Sequence, residues 1–493
     1  MPKSPPSRTY LAFDFGAESG RAVLAHLQSG IITTEEIHRF RNEPLEHGGS
    51  LHWDIPRLWL EVRKALSCVE QRQLAGIGVD AWGVDYALLD ERGELLQNPY
   101  HYRDRRTQGM MEEVFSEVPK EEIYQATGIQ FMPINTLYQL YAQQKQEPTV
   151  LSAARTMLTI PDLFNYWLTG KAVCEFTNAT TTQLVDPISR SWSTSLMERL
   201  SLRTDLLAPI VEPGTVLGPL LPNLAHISSL RAAAVIAPAC HDTGSAVAAI
   251  TARDGTAFLS SGTWSLVGTE LDAPIVTHEA GRMNFTNEGG VNGTTRLLKN
   301  VMGLWMLQGC RTSLSARNID YQELVELASS ASAFEHLVDP DDESFLRPPD
   351  MLAAIDGLCR KTNQPTPDTP AGYARCILES LAFKYRVVLR NLEQLCSHRF
   401  EQIRIIGGGS RNRLLNQFTA DATGRRVLAG PVEATALGNV AIQILATGEA
   451  SSLKEVRAIV DRSFPTEVYE PLATDKWERH FERFEHYCET IYA

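Results

Sequence analysis

Short apolar runs alternate along the chain with polar turns and with stretches whose apolar residues recur every three or four positions. The apolar run 10–14, the turn-like 16–20 and the alternation of 21–27 around Val23 and Leu24 predict a β-hairpin with glycines at its tip. Leu58, Val62, Leu66 and Val69 share helical spacing over 57–69, and the run 77–79 predicts a strand entering Asp80-Ala81-Trp82-Gly83-Val84-Asp85. The grammar then repeats. A strand at 235–239 leads into His241-Asp242-Thr243-Gly244 and an Ala-rich helix, and a strand at 256–260 reaches Ser261-Gly262-Thr263. Ile377, Leu381, Tyr385, Val388, Leu392 and Leu395 trace one helical face across 373–395, ahead of a strand at 403–406 and Gly407-Gly408-Gly409. Helices over 412–422 and 433–445 close on Gly424 and Gly448. Alternating strands and helices in both halves make this an α/β chain, and 493 residues accommodate two large domains. We place the boundary near 248, giving 1–248 and 249–493, with the His241-Asp242 turn at a cleft between them.

Composition narrows the function. A hydrophobic share of 43% and a charged share of 21% are those of a folded globular chain. The net charge of −13 repels nucleic acid and anionic membrane surfaces, yet local backbone donors and a divalent cation can still hold a small anion. The opening Met1-Pro2-Lys3-Ser4-Pro5-Pro6 is too short and proline-rich for a signal peptide, and no apolar run approaches a membrane span, so a cytoplasmic protein is expected. Its eight cysteines form no Cys-x-x-Cys pair, and free thiols are expected, with Cys359 and Cys376 near enough in sequence to bridge under oxidation.

Four groups of residues could carry chemistry. Asp14-Phe15-Gly16-Ala17-Glu18-Ser19-Gly20-Arg21 puts a carboxylate at a strand end beside a hairpin tip whose backbone N–H groups can face phosphate, while Asp14 can reach Mg²⁺ through water. Neither G-x-x-x-x-G-K-[ST] nor a strand-linked G-x-G-x-x-G occurs, which removes the P-loop and dinucleotide-binding folds. Asp242, after a strand and at a helix start, suits an N-cap or a base that accepts a hydroxyl proton during phosphoryl transfer; helix N–H bonds would lower its pKa. Ser261-Gly262-Thr263, the 300–308 segment and Gly407-Gly408-Gly409-Ser410 offer uncharged donors and bare backbone for a nucleotide. Trp82-Gly83 with Asp80 and Asp85 combines an aromatic face with carboxylates, a polyol-binding combination.

Taken in order, Asp14-x-Gly16, the 78–85 run, Tyr102-Arg103-Asp104-x-Arg106-Thr107, His241-Asp242-Thr243, Ser260-Ser261-Gly262-Thr263-Trp264-Ser265 and Gly407-Gly408-Gly409 resemble the FGGY carbohydrate kinases. The runs at 128–131, 135–140, 177–184, 287–290 and 299–305 resemble the branch that phosphorylates L-rhamnulose. The resemblance covers residue 10 to the C-terminus and implies two ribonuclease-H-like domains of the actin-like ATPase superfamily, flanking an ATP and sugar cleft. It implies ATP-dependent phosphorylation of a ketose 1-hydroxyl, with Asp242 as base and Gly83, His241 and Thr243 at the sugar. Ala17, Glu18, Ser19, Gly20 and Arg21 would form the hairpin around the β- and γ-phosphates. Thr263, Asn300, Gln308 and Gly408 would complete the ATP contacts, and Asp14 would face Mg²⁺. Glu18 departs from the serine or threonine common in that hairpin. L-Fuculose, D-xylulose and L-ribulose remain open as acceptors, and an actin- or Hsp70-like ATPase module shares the phosphate hairpins.

Overall fold

The structure, a computed structural model, describes residues 7–69, 72–224, 230–253, 255–314 and 319–492. The 1–6 opening lies outside them. The chain divides into two compact units: the first takes the chain up to Thr251 with Glu270–Leu297 and Ala434–Phe464, the second takes Ala252–Thr269, Leu298–Glu433 and Pro465–Ala493.

The first unit is built on a six-stranded sheet in the order Thr215–Pro219, Ala234–Ala237, Gly76–Ala81, Arg8–Phe15, Ser19–Gln28, Ile31–Arg41. Arg8–Phe15 pairs antiparallel with Ser19–Gln28, as the hairpin pattern predicts, and parallel with Gly76–Ala81, which is itself parallel to Ala234–Ala237. Tyr10 to Phe13 and the whole of Gly76–Ala81 are buried, so these central strands read as continuous apolar runs rather than alternations. Ala434–Ala446 lies over this sheet because glycine opens it: a Cβ at Gly78 would stand 2.3 Å from Asn439 Oδ1. Gln443 Nε2 donates to Leu11 O at 3.1 Å and to Asn439 Oδ1 at 2.7 Å, satisfying polar groups that burial would otherwise penalise.

The second unit repeats the scheme. Trp264–Leu271 pairs antiparallel with Thr256–Ser261, which runs parallel to Gln402–Ile406 and, through it, Arg426–Ala429; Glu467–Tyr469 adds an antiparallel strand. The long apolar face becomes the 27-residue helix Pro370–Cys396, capped by Thr369, whose side chain accepts from Gly372 N. Arg413–Thr423 ends on Gly424 in the left-handed region, the stop its sequence signals. All eight cysteines, Cys359 and Cys376 included, are free thiols. No helix among the described residues is long and apolar enough to cross a membrane.

Candidate active site

In the first unit, parallel pairing sets Asp14 beside Asp80 in register, and Ala81 bridges to His241, so adjacent strand ends deliver Asp14, Asp80 and His241-Asp242 to one edge. The carboxyl ends of parallel strands are where α/β proteins commonly hold ligands. Arg21, the register partner of Asp14 across the hairpin, donates to its Oδ2 from Nε at 2.9 Å and Nη2 at 2.6 Å. The tip is clasped from outside: Gly16 N donates to Ser19 O at 2.9 Å, and Asn42 donates to Glu18 O and to Gly16 O, both at 2.9 Å. Ala17 and Ser19 are half-buried, and Glu18 is exposed. Gly20 is buried, and Phe40 demands a glycine there, since a Cβ would meet its ring at 2.3 Å.

Asp80 is fully enclosed, accepting from Asn439 Nδ2 at 2.6 Å through Oδ2, with Oδ1 left unpartnered. Burial first, then the charge of Asp14, pushes its carboxyl well above the usual range. Asp242 differs from the sequence expectation in two ways. It is not the N-cap of the helix Asp242–Ala248; His241 holds that position with extended backbone, and Asp242 is the first helical residue, its Oδ1 accepting from Thr243 N at 2.5 Å and Thr243 Oγ1 at 3.1 Å. Nor is its pKa lowered. Although 31% of the side chain stays open, desolvation by the protein around it is the largest influence, Asp14 adds to it, and together they outweigh His241 and the Thr243 donors to leave the carboxyl raised. A raised carboxylate is the better proton acceptor.

Behind Asp242 stands a buried set from a distant part of the chain. His241 Nε2 lies 3.4 Å from Asp242 Oδ1, while His241 Nδ1 lies 3.2 Å from Glu288 Oε2 and 3.2 Å from Arg296 Nη2. The turn itself is held from below by Glu175, whose carboxylate accepts from Cys240 N at 2.8 Å and from Thr177 N and Oγ1 at 2.9 and 2.6 Å. Thr177 Oγ1 in turn accepts from His241 N at 3.1 Å. Burial pushes Glu175 up to about 8, and its neighbour Asp162 up to about 7. The same segment reaches the 82–84 loop: Asn178 Nδ2 donates to Trp82 O at 3.3 Å, and Val84 N donates to Thr181 Oγ1 at 2.9 Å.

In that loop Gly83 packs against Thr181, whose side chain would lie 2.9 Å from a Cβ. Val84 sits at φ 67, a strained conformation for a β-branched residue, held by Thr181 on its N–H and by Thr136 on its carbonyl. Asp80 and Asp85 do not form the polyol-facing pair that the sequence suggests. Asp85 is enclosed, accepting from Trp53 Nε1 at 2.6 Å, Trp82 Nε1 at 3.0 Å and Gln139 Nε2 at 2.8 Å, and burial raises it to about 6. It braces an aromatic cluster in which Trp53 lies 4.1 Å from both Trp82 and His101, with Tyr102 buried beside it.

In the second unit the turn 261–263 is the hub. A Cβ on Gly303 would lie 2.7 Å from both Gly262 O and Thr263 O, and Leu304 N and Trp305 N donate to those same oxygens at 2.9 and 3.2 Å. This joins Thr263 to the start of the helix Trp305–Ser313, which carries Gln308, and to the end of the strand Thr295–Met302, which carries Asn300. Gly407 and Gly409 press on Ser261, with 3.0 Å from a Gly407 Cβ to its carbonyl and 2.0 Å from a Gly409 Cβ to its Oγ. Gly408 is different: it is exposed and a Cβ there would meet nothing within 4 Å.

Residues 9–249 match the N-terminal domain and 257–447 the C-terminal domain of the FGGY family of carbohydrate kinases. The chain belongs to the FGGY family. It is 45% identical over 480 residues to a rhamnulokinase of Bacteroides thetaiotaomicron, covering 97% of this chain and 99% of that one. It is 41% identical over 470 residues to a rhamnulokinase of Bacillus subtilis, covering 95% and 96%. Among solved structures, xylulose kinase from Lactobacillus acidophilus superposes with a TM-score of 0.82 at 18% identity, covering 99% of both chains. The fold is thus α/β with two ribonuclease-H-like domains, and the FGGY chemistry makes this a sugar kinase with ATP as phosphoryl donor. For such a kinase, sequence reasoning brought Asp14, Asp242 and the glycine turns forward. It missed Glu175, Arg296 and the part Glu288 plays; Glu288 lies inside the quoted run 287–290 and Glu175 two positions before the run 177–184, while no quoted run contains Arg296. Among the described residues no three His, Cys, Asp or Glu side chains gather as a direct metal site. Mg²⁺ bound to a triphosphate needs only one or two carboxylates, with phosphate oxygens and water completing its shell, and Asp14 at the strand edge fits that sparse donor set.

Proposed function

We propose that this FGGY kinase transfers the γ-phosphoryl group of ATP to the 1-hydroxyl of L-rhamnulose, giving L-rhamnulose 1-phosphate and ADP in L-rhamnose catabolism in the cytoplasm. The observation that carries the substrate is the identity of 41–45% with rhamnulokinases over nearly the whole chain. Asp242 accepts the hydroxyl proton as the oxygen attacks the γ-phosphorus and the bond to the ADP oxygen breaks. Its raised carboxyl and open face support that role. His241, Thr243 and Gly83 orient the sugar, and Ala17, Glu18, Ser19, Gly20 and Arg21 line the phosphates, with Glu18 contributing backbone rather than its exposed carboxylate. Thr263, Asn300, Gln308 and Gly408 contact the nucleotide. Mg²⁺, when bound through water to Asp14, neutralises charge on the phosphates. Product analysis tests the reading: phosphorus-31 NMR of the reaction with L-rhamnulose should show a phosphate coupled to the C1 protons, and a phosphate on any other carbon contradicts the assignment.

A further inference from the structure

Arg296 is fully buried, yet burial is poorly repaid by its bonds. Nε donates to Gly289 O at 2.8 Å, Nη2 reaches Glu288 Oε2 at 3.1 Å and His241 Nδ1 at 3.2 Å, and Nη1 has no hydrogen-bond partner. A desolvated guanidinium with an unmet donor costs stability, so its placement calls for another explanation. A guanidinium donates and cannot accept. Nη2 directs its hydrogen bond to His241 Nδ1, which requires Nδ1 to present its lone pair, while Glu288 Oε2 faces the guanidinium as an ion-pair partner. A proton on Nδ1 would point it at Arg296.

We infer that Arg296 is a positioning residue that fixes His241 as the Nε2–H tautomer, turning its imidazole into a hydrogen-bond donor toward the ketose oxygens beside Asp242. The groups facing the ring are Asp242 on the Nε2 side and Glu288 and Arg296 on the Nδ1 side, with Glu288 balancing the guanidinium charge. The 3.4 Å gap between Nε2 and Asp242 Oδ1 is too long for a strong bond, so the donor is available to a substrate hydroxyl while Asp242 keeps its acceptor role. This assignment rests on the proposed sugar-kinase reading for its substrate, but the tautomer does not.

Two measurements separate the claims. Nitrogen-15 NMR of histidine-labelled full-length protein, with the His241 signal assigned by its loss in His241→Gln, reads the tautomer without substrate. An unprotonated Nδ1 and protonated Nε2 at neutral pH is expected; an Nδ1–H tautomer or an imidazolium there overturns the inference. Steady-state kinetics of Arg296→Met and Arg296→Lys then read the consequence. With folding confirmed by an unchanged nucleotide affinity, kcat/KM for the ketose should fall by about 10- to 100-fold, less for Lys, which keeps a donor. Unchanged kcat and KM in Arg296→Met overturn it. Failure of the wild-type protein to phosphorylate any ketose would instead strike the functional reading and leave the NMR result standing.

Discussion

Asp242 is the base in the proposed phosphoryl transfer, and its neighbours make its behaviour specific. With Asp242 as the proposed base, Asp242→Asn removes the proton acceptor while keeping shape, so kcat should fall by about 10² to 10⁴ with nucleotide affinity unchanged in a fluorescence titration. Because its folded carboxyl is raised and the base must be ionised, activity should decline on acidification from a pH above the ordinary carboxylate range, and the acid limb should vanish from the residual rate of Asp242→Asn. Gly408 offers a test on the nucleotide side. A Cβ there meets nothing within 4 Å, so Gly408→Val should leave stability within about 0.5 kcal/mol while weakening ATP binding. Gly409→Ala drives a Cβ to 2.0 Å from Ser261 Oγ and should cost about 1–3 kcal/mol in denaturant unfolding instead. The positions of Asp242 and Gly408 after strands were legible because each follows a strand and a turn signal. Arg296 was not, since nothing in its strand-like surroundings distinguishes a buried guanidinium from an exposed one 55 positions away from its histidine.

Elements hold these residues in place by buried polar contacts that periodicity does not report. The hairpin, the Pro370–Cys396 helix and the glycine-stopped helices were readable because apolar spacing and caps are local signals. The pieces Cys174–Glu175, Phe176–Ala179 and Thr180–Thr182 are too short for any period, yet they anchor both the 240–242 turn and the 82–84 loop. The pKa of Asp242 was misjudged for a similar reason: backbone donors are visible in a helix-start pattern, desolvation by distant neighbours is not. Glu175→Gln places an NH2, two hydrogens where even the protonated carboxyl carries one, against donors from Cys240 and Thr177, so it should lower kcat without changing nucleotide affinity. The wild-type carboxyl, raised from 4.5 to about 8, holds more protons folded than unfolded across that window, so its contribution to stability is lost as pH rises through it. Thermal melts of Glu175→Gln should therefore depend less on pH between about 5 and 8 than those of wild type. Gly438, where a Cβ would stand 1.7 Å from Ser245 O, sets the approach of Ala434–Ala446 to the Asp242 helix. Gly438→Ala should destabilise the protein by about 1–3 kcal/mol in denaturant unfolding and lower kcat together with it.

At the scale of the molecule, two units repeat one plan, a hairpin followed by parallel strands whose ends carry glycine or acidic turns. That plan was visible in the sequence as repeated strand-to-turn grammar. The return of Glu270–Leu297 and Ala434–Phe464 to the first unit was not, because membership in a unit is decided by long-range packing such as Asn439 on Asp80. The central claim is ATP-dependent phosphorylation of a specific ketose. It is tested most directly by ADP release from purified protein with Mg-ATP and, in parallel, L-rhamnulose, L-fuculose, D-xylulose, L-ribulose, glycerol or no sugar. The account predicts release that depends on sugar and strongly prefers L-rhamnulose; preference for another ketose would contradict the substrate, and equal release without sugar would contradict the kinase reading itself.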